Sequence, residues 1–313
     1  MIKTVGLVGA RGYTGRELIR LIGARNDLEL SFASSREYEG RAIGDIAAGA
    51  PDGMAFVALG PDAVARSGVD AVILALPNGA AAPFVEAIDR LARGTVIVDL
   101  SADYRFDEHW TYGLPEIYGR DAVAAAQRIS NPGCYATAGQ LAIAPMRDVL
   151  SGDAHVFGVS GYSGAGTKPS RKNDLEALKN NLMPYALSGH IHEREMSRHL
   201  GAGVRFTPHV AEFFQGIVAT VHLEFSEPVE REQLIDRYRA AYAGEALIEI
   251  LDEIPEVTDI AGRNGAVLGG FALDESGRKA VIVAALDNLL KGAAVQALQN
   301  LTLALGLPEF GRD

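Results

Sequence analysis

The N-terminal stretch of the chain decides the fold, because it joins an apolar run to a glycine-rich turn: Ile2-Lys3-Thr4-Val5-Gly6-Leu7-Val8-Gly9-Ala10-Arg11-Gly12-Tyr13-Thr14-Gly15. Residues 2–9 predict a buried strand, and residues 16–25, with apolar side chains at helical spacing, predict a helix. A second strand is predicted over residues 28–33. Strand, turn, helix and strand in this order indicate a βαβ unit.

The same alternation continues through the first half of the chain. Strands are predicted over residues 69–76 and 95–100, and a helix over residues 81–93. Short apolar runs that alternate with helices are typical of a parallel sheet with helices on its faces. We therefore predict the α/β class, with a doubly wound parallel sheet.

The second half has a different pattern. Residues 216–225 alternate strictly, with Ile217, Ala219, Val221, Leu223 and Phe225 on one face, which indicates a strand that is buried on one side only. Strands predicted over 267–273 and 279–285 flank a hairpin turn at 274–278. A last helix is predicted over 291–305, with Val295, Leu298, Leu301 and Leu305 on one stripe.

Composition excludes several classes of protein. The 313 residues carry 29 basic and 40 acidic side chains, a net charge of −11, which argues against a nucleic-acid partner. The one cysteine cannot form an internal disulfide or a cysteine-cluster zinc site. Neither a signal peptide nor an apolar run long enough to span a membrane is evident, so we expect a cytoplasmic protein without a membrane partner.

The glycine-rich turn predicts a dinucleotide site. Glycines in the first turn between strand and helix let the backbone approach a pyrophosphate, which the helix N-terminus then stabilises. The spacing here is GxxGxxG instead of the common GxGxxG, and an ordinary tight turn is the alternative. The predicted cofactor contacts are Gly9, Arg11, Gly12, Tyr13, Thr14 and Gly15.

The end of the second strand predicts which dinucleotide binds. An NAD site usually has an acidic residue about 20 positions after the turn, where it binds the ribose 2′-hydroxyl. This chain has Ser34, Ser35 and Arg36 there, and two hydroxyls with a guanidinium suit a 2′-phosphate. We predict a preference for NADP(H); a solvated Arg36 without a ligand is the alternative.

The one cysteine, Cys134, is the predicted nucleophile. It follows the turn Asn131-Pro132-Gly133, and residues 136–146 predict a helix, so the thiol stands at a helix N-terminus. Unsatisfied N–H groups and the helix dipole favour a thiolate there, and the same groups can hold a developing oxyanion. A lone cysteine that is only a small buried apolar residue is the alternative.

A thiolate nucleophile needs an acid/base partner, and the segment around His190 and His192 is the densest in titratable groups. Glu195, three residues after His192, is predicted to orient its ring. Sequence does not separate the two histidines, although we favour His192 as the acid/base. A His-x-His pair also suits a metal, but no third clustered ligand accompanies it, so we predict no metal site.

Several segments together give the chain a resemblance to a known family, the N-acetyl-gamma-glutamyl-phosphate reductases (N-acetylglutamate semialdehyde dehydrogenases) of arginine biosynthesis. The resemblance covers nearly the whole chain, and its most specific part is the pair of segments over residues 99–106 and 112–116. The other matching segments are the turn at 9–15, Leu76-Pro77-Asn78-Gly79, 131–135, 160–166, the His190/His192/Glu195 cluster and 287–292.

The resemblance implies an NADP-dependent oxidoreductase that reduces N-acetyl-L-glutamyl 5-phosphate to the 5-semialdehyde through a cysteine thioester and releases phosphate. It implies a Rossmann domain over residues 1–135 and 288–313, and a catalytic and dimerisation α+β domain with a mixed or antiparallel sheet over 136–287. Asn288 would contact the cofactor. The substrate contacts would be Asn131, Ser163 and Gly164.

One position departs from the family pattern. Many members carry an arginine just before the glycine of Gln215-Gly216, so the contact that it makes to phosphate or carboxylate must come from elsewhere. Lys168 and Arg171 are the predicted replacements, with a solvated loop as the alternative.

Other functions remain as alternatives. Aspartate-semialdehyde dehydrogenases and lysine-pathway acyl-phosphate reductases share the thioester chemistry, and a non-enzymatic NADP-binding sensor could use the same fold. We expect small-molecule partners, the acyl phosphate and inorganic phosphate, and a homo-oligomer, either a dimer or a tetramer.

Overall fold

A computed structural model of the chain describes residues 2–311. The chain separates into two compact units at two points, between Pro132 and Gly133 and between Gly292 and Ala293. We call Gly133–Gly292 the second unit and the rest of the chain the first unit. The sequence predicts divisions at 135/136 and 287/288, and the roles assigned to the two domains there stay predictions.

Each unit is built around one sheet. The first has the order β2-β1-β3-β4-β6-β5 and the second the order β11-β12-β13-β10-β7-β9-β8. The strands are β1 Lys3–Val8, β2 Leu28–Ser34, β3 Ala71–Leu74, β4 Val96–Asp99, β5 Thr111–Tyr112, β6 Arg128–Ser130, β7 Ala154–Gly161, β8 Leu182–Pro184, β9 Val204–Ala211, β10 Ile217–Glu224, β11 Ile248–Ile250, β12 Ala266–Leu273 and β13 Lys279–Leu286.

Eleven α-helices accompany the strands within residues 2–311. They are α1 Tyr13–Gly23, α2 Pro61–Ala65, α3 Ala82–Leu91, α4 Pro115–Tyr118, α5 Arg120–Ala124, α6 Cys134–Ile143, α7 Leu175–Leu178, α8 Ile191–Leu200, α9 Arg231–Ala241, α10 Val257–Ile260 and α11 Val295–Ala304. Short 3₁₀ segments lie at Ile43–Asp45, Ala144–Val149, Tyr162–Ala165 and Arg171–Asn173, and a π-helical turn at Leu290–Ala294. None of these helices is long and apolar enough to cross a membrane.

The sheet of the first unit is parallel throughout. Its strands β3 and β4 are buried over their whole length, as parallel strands covered on both faces must be. This confirms the predicted α/β class and the doubly wound parallel sheet.

The sheet of the second unit is mixed. β7 pairs with β9 in parallel and with β10 antiparallel, and β12 and β13 form the predicted hairpin. On β10 the residues of the predicted inner face are at most 2% exposed, whereas His222 and Glu224 are exposed. Helix α6 packs on β7, β10 and β13 and against α8.

The last helix differs from its prediction. Its first turn is the π-helical segment, and the α-helix proper begins at Val295. Every residue from Val295 to Thr302 is buried, instead of one stripe, and Leu305 is only half-buried. The reason is that α11 packs against α1, α5 and β4 of the first unit, so several of its sides are covered at once.

The two faces of β10 predict different effects of truncation. We expect Leu223→Ala to lower the free energy of unfolding by about 2–5 kcal/mol, because it leaves a cavity in the core. The matched control His222→Ala, on the neighbouring exposed position, should change it by less than about 0.5 kcal/mol. Urea unfolding followed by circular dichroism measures both, and equal losses would contradict this orientation of the strand.

Candidate active site

Cys134 is the first residue of α6, as the sequence predicts. Gly133 before it has an extended backbone and offers no side chain to cap the helix. The thiol is half-buried, whereas every residue from Tyr135 to Ile143 is buried. The predicted nucleophile therefore stands at the accessible end of a core helix.

Glu195 fixes this helix start. Its side chain lies in α8, is 0% exposed, and accepts the Gly133 N–H at Oε1 over 2.8 Å. A buried carboxylate that accepts a backbone N–H is a strong, charge-assisted hydrogen bond. Glu195 thus contacts the residue before Cys134, a contact that sequence reasoning missed because it predicted only a role toward His192. That role stays a prediction.

A cavity of about 190 Å³ brings the predicted catalytic residues together in the second unit. Cys134, His190 and His192 all line it, and Gly164 is the one predicted substrate contact among the lining residues. The full lining is Cys134, Tyr135, Ser160, Gly161, Gly164, Ala165, Lys172, Tyr185, His190, Ile191, His192 and Val210.

His190 serves as the N-cap of α8. Its Nδ1 accepts the His192 N–H at 3.1 Å, so in the neutral ring the hydrogen is on Nε2. Burial, and then the charge of Lys172, lower the pKa of His190 to about 4 against an opposing effect of Glu193. His190 is therefore a neutral imidazole at pH 7.

His192 lies in the first turn of α8, and its ring centroid is 4.8 Å from that of His190 and 6.1 Å from that of Tyr135. Tyr135 is 2% exposed, and its hydroxyl donates to the His209 carbonyl at 2.6 Å. Burial is the main cause that raises the pKa of both Tyr135 and Tyr185, and the nearby Cys134 charge raises both further. Both phenols stay protonated at neutral pH.

The side chain of Asn288 forms a hydrogen bond with the loop at residues 160–166. Its Nδ2 donates to the Ser163 hydroxyl at 2.9 Å, and its Oδ1 accepts the Gly216 N–H at 2.7 Å. Ser163 is buried beside the cavity residue Gly164. The amide of Asn288 thus joins two segments of the second unit, while its predicted cofactor contact stays a prediction.

The predicted cations are not the ones at the cavity. Lys168 and Arg171 are exposed and do not line it, whereas Lys172, which sequence reasoning missed, does. Asn131 does not line it either; it is 1% exposed in the first unit, where its Oδ1 accepts a hydrogen bond from Asn300.

The glycine turn of the first unit combines a close backbone approach at Gly9 with open space at Gly12. Gly9 has a φ of +84°, and a Cβ there would lie 2.3 Å from the Ala75 carbonyl oxygen. A Cβ on Gly12, the N-cap of α1, would meet nothing within 4 Å, so the space over the helix start is open. Gly12 offers no side-chain cap, and Tyr13, Thr14 and Gly15 form the first turn.

The residues predicted to select the dinucleotide lie beside this turn. The Ser34 carbonyl accepts the Gly9 N–H at 3.0 Å, and Ser34 and Ser35 are buried at the end of β2. Arg36 is exposed, while Arg11 forms an ion pair with Glu37. The open space over the start of α1 and the exposed Arg36 fit an anionic dinucleotide at this end of the sheet.

The segment over residues 99–106 forms a polar network at the end of β4. The Ser101 hydroxyl donates to Asp99 at 2.6 Å, and Asp103 accepts the Gly79 N–H at 2.7 Å. Burial raises the pKa of Asp99 to about 6. Arg105 donates to the carbonyl of Asn131 at 2.9 Å, so the network fixes the chain just before Pro132.

Within residues 2–311, no group of three or more His, Cys, Asp or Glu side chains is placed to hold a metal ion.

The comparisons with known proteins agree with this arrangement. The family described as "Semialdehyde dehydrogenase, NAD binding domain" matches residues 4–126, and "Semialdehyde dehydrogenase, dimerisation domain" matches residues 134–288. The first unit is therefore a domain that binds a nicotinamide dinucleotide. Aspartate semialdehyde dehydrogenase II from Vibrio cholerae, complexed with ASA, has a TM-score of 0.79 at 19% identity and covers 98% of this chain and 99% of its own, which shows the shared fold.

Two bacterial relatives have a much higher identity to this chain. N-acetyl-gamma-glutamyl-phosphate reductase of Stenotrophomonas maltophilia is 57% identical over 98% of this chain and 96% of its own length. The protein of the same name in Xylella fastidiosa is 55% identical over 98% of this chain and 94% of its own. Identity of this extent over both units shows that the chain belongs to the N-acetyl-gamma-glutamyl-phosphate reductase family.

Proposed function

We propose that the chain reduces N-acetyl-L-glutamyl 5-phosphate to N-acetyl-L-glutamate 5-semialdehyde with NADPH and releases phosphate, a step of arginine biosynthesis. The observation that carries this proposal is the placement of Cys134 at the start of α6, in one cavity with His190 and His192. The names of the relatives supply the substrate.

The first chemical step belongs to Cys134. Its sulfur attacks the carbonyl carbon of the acyl phosphate, the S–C bond forms, and the C–O bond to phosphate breaks. The start of α6 favours the thiolate, because the helix dipole and the unpaired N–H groups of a first turn stabilise a negative charge. The hydrogen bond of Gly133 to Glu195 holds that first turn in place.

The cofactor would be held by the glycine turn of the first unit, with Ser34, Ser35 and Arg36 at the 2′-phosphate. The chemistry that a reduced nicotinamide supplies when bound is donation of a hydride to the thioester carbon. A thioester accepts hydride far better than a carboxylate does, so the covalent bond to Cys134 prepares the substrate for reduction.

The last step returns a proton to sulfur as the C–S bond breaks and the aldehyde leaves. We assign this proton to His192, because His190 is neutral at pH 7 and its Nδ1 is engaged as the cap of α8. His190 can still donate a hydrogen bond from Nε2 into the cavity. The second unit, which matches a dimerisation domain, is the proposed contact surface of a homo-oligomer, either a dimer or a tetramer.

The direct test is the reverse reaction. Purified protein should reduce NADP⁺ with N-acetylglutamate semialdehyde, and only when inorganic phosphate is present. Preference for aspartate semialdehyde would overturn the substrate assignment, and NADP binding without turnover of either aldehyde would point to a sensor.

The covalent mechanism predicts a large effect at one atom. We expect Cys134→Ser to lower kcat at least about 1,000-fold, because a hydroxyl is a far poorer nucleophile than a thiolate. NADPH binding, measured by fluorescence titration, should be unchanged. Turnover that survives this substitution would exclude the thioester.

The dinucleotide preference depends on Arg36. We expect Arg36→Asp to remove most of the preference for NADPH over NADH in kcat/KM, because a carboxylate repels a 2′-phosphate and accepts from a 2′-hydroxyl. The control Arg66→Asp makes the same charge change at an exposed arginine at the end of α2 and should leave the preference unaltered. Equal kcat/KM for both dinucleotides in the unaltered protein would overturn the assignment.

The two histidines can be separated by asparagine substitutions. We expect His192→Asn to lower kcat about 100–10,000-fold, the range for loss of an acid/base. His190→Asn should lower it less, and stability should be retained because asparagine is also a good N-cap. Urea unfolding checks the second point, and a larger kcat loss at His190 would reverse the assignment.

A further inference from the structure

Apart from its two histidines, the cavity around Cys134 is lined by one basic side chain. Among the described residues that line it there is no carboxylate and no arginine, and Lys172 is its one lysine. The chain as a whole has a net charge of −11. An anionic substrate therefore needs local positive potential here, against the sign of the whole molecule.

The loop that carries Lys172 is folded so that this side chain, and not its basic neighbours, reaches the cavity. Lys172 lies in the 3₁₀ turn Arg171–Asn173. The Nδ2 of Asn173 donates to the Gly166 and Lys168 carbonyls at 2.8 and 2.9 Å, and its Oδ1 accepts the Ser170 N–H at 2.8 Å. This clasp closes the loop, with Lys168 and Arg171 exposed and Lys172 half-buried.

The surroundings of the Lys172 ammonium leave it available to a ligand. The ammonium lies 4.5 Å from the centre of the Tyr185 ring, a cation–π contact that holds the side chain without neutralising it. Within residues 2–311 it forms no ion pair with a carboxylate. Lys172 and His190 line the same cavity, and the Lys172 charge contributes to the lowered pKa of His190.

We propose that Lys172 binds the phosphoryl group of the acyl phosphate, and inorganic phosphate in the reverse direction, in place of the arginine that Gln215 replaces. This rests on the proposed function. The phosphoryl oxygen is bonded to the carbon that Cys134 attacks, so the leaving group must lie in the cavity that the two residues share. An ammonium there offsets the repulsion between a thiolate and a phosphate dianion, and it stabilises the charge that leaves.

The test compares Lys172→Met with Lys172→Arg and with the control Lys179→Met, an exposed lysine at the end of α7. In the reverse reaction we expect Lys172→Met to raise the KM for inorganic phosphate about 10–100-fold, the effect of losing a hydrogen bond to a charged group. The KM for the aldehyde should change less than about twofold, because the proposed hydrogen bond of Lys172 is to phosphate and not to the aldehyde. Lys172→Arg should restore most of the affinity, and Lys179→Met should behave as the unaltered protein.

Alkylation gives a readout that needs no turnover. Inorganic phosphate should slow the reaction of Cys134 with iodoacetamide in the unaltered protein and in Lys179→Met, but not in Lys172→Met. If phosphate protects Cys134 in the unaltered protein but no phosphate-dependent turnover is found, the proposed function is rejected. The phosphate site at Lys172 would still be supported.

Three results would overturn the role of Lys172. The first is a raised KM for the aldehyde with an unchanged KM for phosphate, which would assign Lys172 to the substrate carboxylate. The second is a larger phosphate effect in Lys168→Met or Arg171→Met than in Lys172→Met. The third is full phosphate protection of Cys134 in Lys172→Met.

Discussion

The hydrogen bond from the Gly133 N–H to the buried Glu195 carboxylate is the constraint on which the second unit's chemistry depends. It joins α8, whose N-cap is His190 and whose first turn holds His192, to the start of α6, which carries the thiol. Since α6 is buried from Tyr135 onward and packs on three strands, a shift of Cys134 would disturb the core. The core thus fixes where the Cys134 sulfur lies, and a fixed position is what the proposed nucleophile needs to stay aligned with its proton donor.

Structural features that depend on neighbouring residues in the sequence could be predicted from it. The strict alternation over residues 216–225 determines which face of β10 is buried, because side chains on a strand point alternately to its two faces. The position of Cys134 at a helix start follows from the turn before it, because proline and glycine end one element and leave the next to begin. The turn after β1 could also be predicted, because its backbone has a positive φ at Gly9, which glycine adopts more readily than other residues.

Features that depend on long-range contacts could not be predicted. Gly133 and Glu195 are far apart in sequence, and no periodicity shows that a carboxylate on one helix will meet an N–H on another. The burial of α11 on several sides has the same origin, because helices and a strand from distant parts of the chain cover it. The amide of Asn173 closes the loop that carries Lys172, and the sequence alone does not show which of the basic residues at 168, 171 and 172 reaches the cavity.

The hydrogen bonds of Asn173 also determine which parts of the site can be altered by substitution without disturbing the rest. The bonds that shape this loop run between residues of the loop itself, from Gly166 to Asn173, and do not involve the core that holds Cys134. Insertions or substitutions there can move Lys172 while Cys134 and its helix stay in place. The shape of the loop and the position of the thiol are therefore encoded in separable parts of the chain, so a substitution in one need not disturb the other.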